Sequence, residues 1–306
     1  MLALAALAAI LLMPGKPLAH AASSTASLLP WTFEPWVVLP LAVGGALAAL
    51  GGLRLARRAS PRGLVALRRR LAMLALGWAV LAVALVSPLA AAGHVSFSAH
   101  MLQHEVVMLL AAPALVLGRP LGVIAWGLPG AARAGFAGML RSPPVRRLRL
   151  AATAAVAATL AQAAVLWLWH APLLFELALR HPAWHAAQHL SFLLAGLAFW
   201  AAMLRRCPPT LAGRGLAALC LLATSIVSGA LGALMAISAS PWYATYARLG
   251  LTPQGLTSQG LTPAEDQQLA GLLMWVPGGL VHAGAALVLL GLALRPGTEA
   301  VHARQS

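Results

Sequence analysis

Residues 68–91, RRRLAMLALGWAVLAVALVSPLAA, set three consecutive arginines against an unbroken apolar run. A helix needs ~20 apolar residues to cross the hydrocarbon core of a bilayer. Residues 71–91 supply that length without a charge. Similar segments lie at 36–53, 98–117, 150–169, 185–204, 214–238 and 269–294. The first is short, but Trp36 and Arg54 are suited to anchor its ends at the interfaces. The segment 121–128, LGVIAWGL, is too short to cross and is expected to lie along the membrane surface or to pack as an amphipathic piece. The fold class that follows is all-α: a polytopic transmembrane helical bundle of seven spans, filling residues 30–295.

Composition agrees. Of 306 residues, 61% are hydrophobic and only 9% charged, against about 25% charged in a soluble domain. The net charge of +15 could suggest nucleic-acid binding, but its placement argues otherwise. Apart from Lys16 the basic residues are all Arg. One set of loops carries Arg54, Arg57, Arg58, Arg62, Arg68, Arg69 and Arg70, then Arg119, Arg133, Arg141, Arg146, Arg147 and Arg149, then Arg205, Arg206 and Arg214. Arg295 and Arg304 follow the last span, and only Arg180 and Arg248 fall in the opposite loops. The positive-inside rule makes the Arg-rich side cytoplasmic. The N-terminus is then outside and the C-terminus inside, as seven spans require, with residues 296–306 a cytoplasmic tail. The basic loops face anionic lipid headgroups. They lack the interleaved aromatics of a nucleic-acid site, so no nucleic-acid partner is expected. Residues 1–22 hold a short apolar run ending near Ala19-His20-Ala21, the pattern of a secretory signal peptide, although no basic residue precedes the run. An uncleaved short helix is the alternative. The two cysteines, Cys207 and Cys220, form no CxxC motif and imply no disulfide framework.

The histidines are as one-sided as the arginines. His94, His100, His104, His170, His181, His185 and His189 all map to the outer face. His100 and His104 are four residues apart at the outer start of the third span, and His185 and His189 repeat that spacing at the start of the fifth. A helix brings residues four apart onto one face. His170 closes the fourth span within WLWHAP. Three helices can therefore deliver imidazoles to one depth. Imidazole with thioether, and without thiolate, suits copper in an oxidising compartment. His100, His104, His170, His185 and His189 are the expected metal ligands. Met101, Met108 and Met274 are candidate soft ligands, and Glu105 is a ligand, an acceptor beside a ligand or a proton carrier. A lone imidazole at an interface is more often a polar anchor than a ligand. The two pairs with His170 on one side raise the metal reading. His282 falls mid-span and receives no role. Pro277-Gly278-Gly279 allows a kink or a close helix approach in the last span, a feature common in membrane helices. Ser225/Gly229 and Ser228/Gly232 permit close helix packing.

At the same residues the sequence resembles a known family. SFSAHMLQHEVVMLLAAPALVLGRP (96–120), WHAP (169–172), the HxxxH element at 185–189 leading to Phe199-Trp200, and DQQLAGLLMWVPGG (266–279) are similar to the motifs of the CtaG family, the assembly factors for caa3-type cytochrome c oxidase. The resemblance implies a seven-span, multi-pass protein of the plasma (inner) membrane, needed to make active haem-copper oxidase through copper supply at the periplasmic face. It implies oxidase subunits and periplasmic copper chaperones as partners, copper as the bound ion, and no enzymatic activity. The external loop at 251–262, with its GLT repeat, and His282 depart from the family pattern. Two other readings remain open at this point: a haem-binding membrane redox protein using paired histidines as axial ligands, and a copper transporter. A membrane hydrolase is disfavoured, because no GxSxG, HExxH or paired-aspartate motif is present.

Overall fold

The computed structural model describes residues 31–248 and 260–294. The presumed signal peptide, the tail and most of the GLT repeat lie outside the described residues. In chain order the helices are α1 (Pro35–Ala56), α2 (Pro61–Val86), α3 (Pro88–Gly93), α4 (Phe97–Gly118), α5 (Pro120–Gly127), α6 (Gly130–Arg141), α7 (Pro143–Ala152), α8 (Ala155–His170), α9 (Pro172–Arg180), α10 (Pro182–Arg205), α11 (Leu211–Ile237) and α12 (Pro263–Ala293). No strand occurs among the described residues. Most helices open on a proline, whose fixed φ suits the first turn and whose missing N–H is not needed there. Side-chain caps add to this. Ser60 Oγ accepts from Gly63 N, Thr210 Oγ1 accepts from Gly213 N, and Thr262 with Glu265 forms a capping box.

Six helices, α1, α2, α4, α10, α11 and α12, are long and apolar enough to cross a membrane. The seventh span requires α7 and α8 together, and these are bent by 74°. The 16 residues of α8 alone reach only about 24 Å at 1.5 Å per residue. Several boundaries differ from the sequence expectation: α8 starts at Ala155 rather than residue 150, and α2 ends at Val86 rather than residue 91. α2 starts at Pro61 rather than residue 71 and so takes in Arg62, Arg68, Arg69 and Arg70. Their long side chains can reach out to the interface while the backbone stays helical. α12 starts at Pro263 rather than 269 and carries Asp266 inside the helix. The short 121–128 segment is α5, laid against α1. A Cβ on Gly51 would fall 1.8 Å from Val123 O, and one on Gly127 would fall 2.1 Å from Leu47 O, so only glycine allows this approach. Arg54 Nη1 donates to the carbonyls of Trp126, Gly127 and Leu128 at 2.9–3.0 Å, satisfying the end of α5.

α11 and α12 pack backbone to backbone through small residues, as the serine and glycine spacing predicted. A Cβ on Gly271 would lie 2.4 Å from Gly232 O, and one on Gly232 would lie 2.7 Å from Gly271 O. In α4 the residues Val106–Ala111 form a π turn. Ala112 N bonds Val107 O, one residue further back than in an α-helix, and Pro113 has no N–H to offer Met108 O. The Trp200 indole donates to that stranded carbonyl at 2.9 Å. Sequence therefore places a widened turn directly below the histidines of α4 and closes it with a residue from α10.

Candidate metal centre

The N-terminus of α4 is held by a carboxylate from another helix. Asp266 of α12 accepts from Phe97 N (2.7 Å) and Ser98 N (3.2 Å), and from the hydroxyls of Ser96 (3.1 Å) and Ser98 (2.5 Å). It answers the free N–H groups of a helix start and is 2% exposed. Gln103 Nε2 donates to Ala84 O at 2.9 Å and ties the same helix to α2. These bonds fix the rotation of α4, and with it the direction of His100 and His104.

The five predicted histidines do converge at one end of the bundle. Ring centroids of His100 and His104 are 4.4 Å apart, those of His185 and His189 4.5 Å, and those of His104 and His189 4.9 Å. His100 lies 5.5 Å from His185 and 6.0 Å from His189. One ligand atom from each of His100, His185 and His189 can be chosen so that all lie within 4.8 Å of one another. Imidazole nitrogens at about 2.0–2.1 Å from a shared ion sit about 3–3.5 Å apart, so closing the site needs ring movements of about 1 Å. His94 adds a further ring 5.6 Å from His185.

Hydrogen bonding decides which nitrogens are free. Tyr246 OH contacts Gly93 O and also His100 Nδ1, the latter at 2.9 Å. A carbonyl only accepts, so the phenol proton goes to Gly93 O and the phenol oxygen accepts from His100 Nδ1–H. His100 Nε2 is then a bare lone pair, and it has no hydrogen-bond partner. His170 follows the same logic. Its Nδ1 donates to Leu166 O at 2.6 Å, leaving Nε2 unprotonated 3.4 Å from Met101 Sδ. Neither atom of that pair carries a hydrogen, so the contact brings two donor atoms together rather than making a hydrogen bond. His185 Nε2 and His189 Nε2 face each other at 2.9 Å. Both ring nitrogens of His104 are buried without a partner, as are both amide atoms of Gln188. Burial of unpaired polar atoms is costly unless something else pairs them. A small cation would pair several at once.

The aromatic wall of the site comes from elements that the sequence reading left unassigned. Tyr243 and Tyr246 lie in the segment after α11, and Phe175 lies on α9. Tyr243 stacks on Phe175 at 4.0 Å and donates to His170 O at 2.9 Å. Burial, then Asp266, Tyr243 and Glu176 nearby, push the Tyr246 phenol well above its ordinary pKa, so it stays a proton donor. Glu176 pins this segment by accepting from Thr245 N at 2.9 Å and from the Thr245 hydroxyl. Met101, Met108 and Met274 belong to one buried cluster with Phe97, Phe175 and Phe192 beside the imidazoles. Glu105 lines a cavity with Gln162 and His282. Asp266, Tyr243 and Tyr246 carry a signal that reading along single helices misses. The two tyrosines are the only ones in the chain, three residues apart, and Asp266 is an acid at the edge of an apolar span.

At the other ends of α4 and α10 the charge is all positive. Arg205 stands within electrostatic reach of Arg70, Arg119, Arg149 and Arg206. The bundle thus has a histidine end and an arginine end. No curated protein and no solved structure gives a match to the chain. The family described as cytochrome c oxidase caa3 assembly factor (Caa3_CtaG) matches over residues 46–295, which takes in α2 to α12, the second half of α1 and every residue of the histidine cluster. The sequence motifs, the spanning helices and that match agree, and the chain belongs to the caa3-type cytochrome c oxidase assembly factor family.

Proposed function

We propose that this protein is a non-enzymatic assembly factor that holds copper at the periplasmic face of the plasma membrane for haem-copper oxidase. The observation that carries the reading is the convergence of His100, His185 and His189 within 4.8 Å, with unpartnered nitrogens among them. These three are the proposed primary ligands. His104 and the His170–Met101 pair stand ready to complete or exchange ligands. Lone pairs from imidazole and thioether, with no thiolate beside them, favour copper over zinc. The segregation of arginines to the opposite end supports a cytoplasmic arginine end and a periplasmic histidine end. Oxidase subunits and periplasmic copper chaperones are the partners this orientation makes available. The haem reading fits less well. Axial ligands must straddle a planar macrocycle, whereas the imidazoles here touch one another, with closest centroid separations of 4.4–4.9 Å.

Metal and haem analysis of purified protein tests the proposal, with His185→Ala/His189→Ala beside the wild type. The wild type should carry copper and no Soret band, and the variant should carry less copper than the wild type. In cells, the variant should insert normally yet leave oxidase activity low. Full oxidase activity with the variant, or a haem spectrum in the wild type, would overturn the reading.

A further inference from the structure

A second polar cluster lies in the middle of the bundle, outside the imidazole group. Glu105, Gln162, Thr224, Ser228 and His282, from α4, α8, α11 and α12, line one cavity together with Met108 and Gly278. The volume open to the centre of a water molecule is about 20 Å³. That is room for one or two waters or one desolvated ion, since about 10–15 Å³ on this measure holds a water.

The lining is almost purely accepting. His282 Nδ1 donates to Gly278 O at 2.7 Å, which leaves Nε2 a lone pair without a partner. Thr224 spends its proton on Cys220 O at 2.9 Å, and Ser228 spends its own on Thr224 O at 2.8 Å. Each hydroxyl therefore has only oxygen lone pairs left to offer. Glu105 Oε2 and Gln162 Oε1 are buried without partners. A virtual Cβ on Gly278 would sit 3.4 Å from Glu105 Oε2, so the carboxylate lies against the α12 backbone. Hydrogens could come only from the Gln162 amide and from Glu105 when it is protonated. Such a group of lone pairs around a small void asks for a positive centre. The nearby core is apolar apart from the Cys220 thiol: His282 stacks on Trp200 at 5.7 Å with 6° between the planes, and Ala286 and Leu289 follow along α12 with Leu221 and Phe199 packed beside them.

We propose that this cavity is a second, deeper site for a monovalent soft cation, copper(I), held by Glu105, His282 Nε2 and Met108, with the Thr224 and Ser228 oxygens around it. Charge selects the valence: one carboxylate neutralises one positive charge, whereas a divalent ion would leave a net charge buried in low dielectric. An imidazole and a thioether select a soft ion over sodium. The apolar core around Ala286, Leu289, Leu221 and Phe199 makes the site a store filled and emptied from the histidine end, not a point on a pathway across the membrane. The inference rests on the copper reading of the outer histidines, and the test separates the two.

Copper(I) is titrated anaerobically into full-length protein in detergent micelles against a chromophoric chelator. The proteins are wild type, Glu105→Gln/His282→Gln and His185→Ala/His189→Ala. The expected stoichiometries are two, one and one copper per chain. Met108→Leu serves as a second, volume-conserving probe of the deep site and should weaken one of the two copper ions at least tenfold. X-ray absorption of the copper left in His185→Ala/His189→Ala should show mixed nitrogen or oxygen and sulfur neighbours. If wild type binds a single copper that Glu105→Gln/His282→Gln and Met108→Leu leave unchanged, the deep site is wrong and the outer site stands. If His185→Ala/His189→Ala still binds as much copper as wild type, the outer reading fails instead. If no protein binds copper, both fail.

Discussion

Asp266 is where a single atom exchange should be felt across two helices. Its Oδ2 accepts from Phe97 N and its Oδ1 from Ser96 Oγ, Ser98 N and Ser98 Oγ. Asp266→Asn can keep three of these bonds by pointing its one oxygen at the serines, but its NH₂ then faces the Phe97 N–H. Phe97 is 2% exposed, so the stranded donor has no water to turn to. One buried donor left unpaired costs about 1–3 kcal/mol, and Asp266→Asn is expected to cost about 2 kcal/mol. Asp266→Ala strands both N–H groups and removes a helix cap as well, and is expected to cost about 4 kcal/mol. At about 2–4 °C per kcal/mol for a chain of this size, the melting temperature should fall by roughly 4–8 °C and 8–16 °C respectively. His100 lies one turn beyond the capped residues, so copper affinity should fall in the same order while stoichiometry is kept. Thermal melts in detergent, followed by tryptophan fluorescence, and copper titration of the same samples would measure both effects. If Asp266→Ala melts within about 2 °C of wild type and binds copper equally well, the claim that this carboxylate positions α4 is refuted.

Two further outcomes follow from the same geometry. Tyr246→Phe removes the nearer of two acceptors of His100 Nδ1–H, leaving Gly93 O at 3.4 Å, and should lower copper affinity up to about tenfold with little loss of folding, because partners behind a ligand typically carry such factors; an unchanged affinity would show that Gly93 O alone sets the tautomer. Burial pushes the Glu176 carboxyl up, but hydrogen bonds from Thr245 and the nearby Arg180 outweigh it and hold the group below its ordinary value. A depressed folded pKa contributes stability above the unfolded value, about 4.3, that is lost as pH falls through the folded value. Glu176→Gln should therefore melt lower than wild type at pH 6, and the gap should close as pH drops below about 4; a gap independent of pH would refute the assignment.

The spanning architecture was legible in the sequence because a bilayer punishes polar residues so heavily that apolar length alone marks the helices. The segregation of arginine and histidine to opposite ends was equally plain, since both are positions along a helix axis. The i, i+4 spacing of His100/His104 and His185/His189 put each pair on one face, and the Ser228/Gly232 spacing marked a face of α11 that permits close packing without naming the helix that meets it. Some features depend instead on rotation and contact between helices. Sequence periodicity gave His170 a depth but not its approach to Met101, and left Asp266 outside the last span with no sign of its role at the start of α4. His282 could be read only as an odd polar residue until folding placed it on one cavity with Glu105, Thr224 and Ser228. The tautomers of His100 and His170 are likewise decided by carbonyls and a phenol that the fold brings to them. Local pattern determines which residues share a helix face, because backbone geometry is local. Which faces meet, and which lone pairs are left without a hydrogen, is settled only when packing fixes the rotation of each helix against its neighbours.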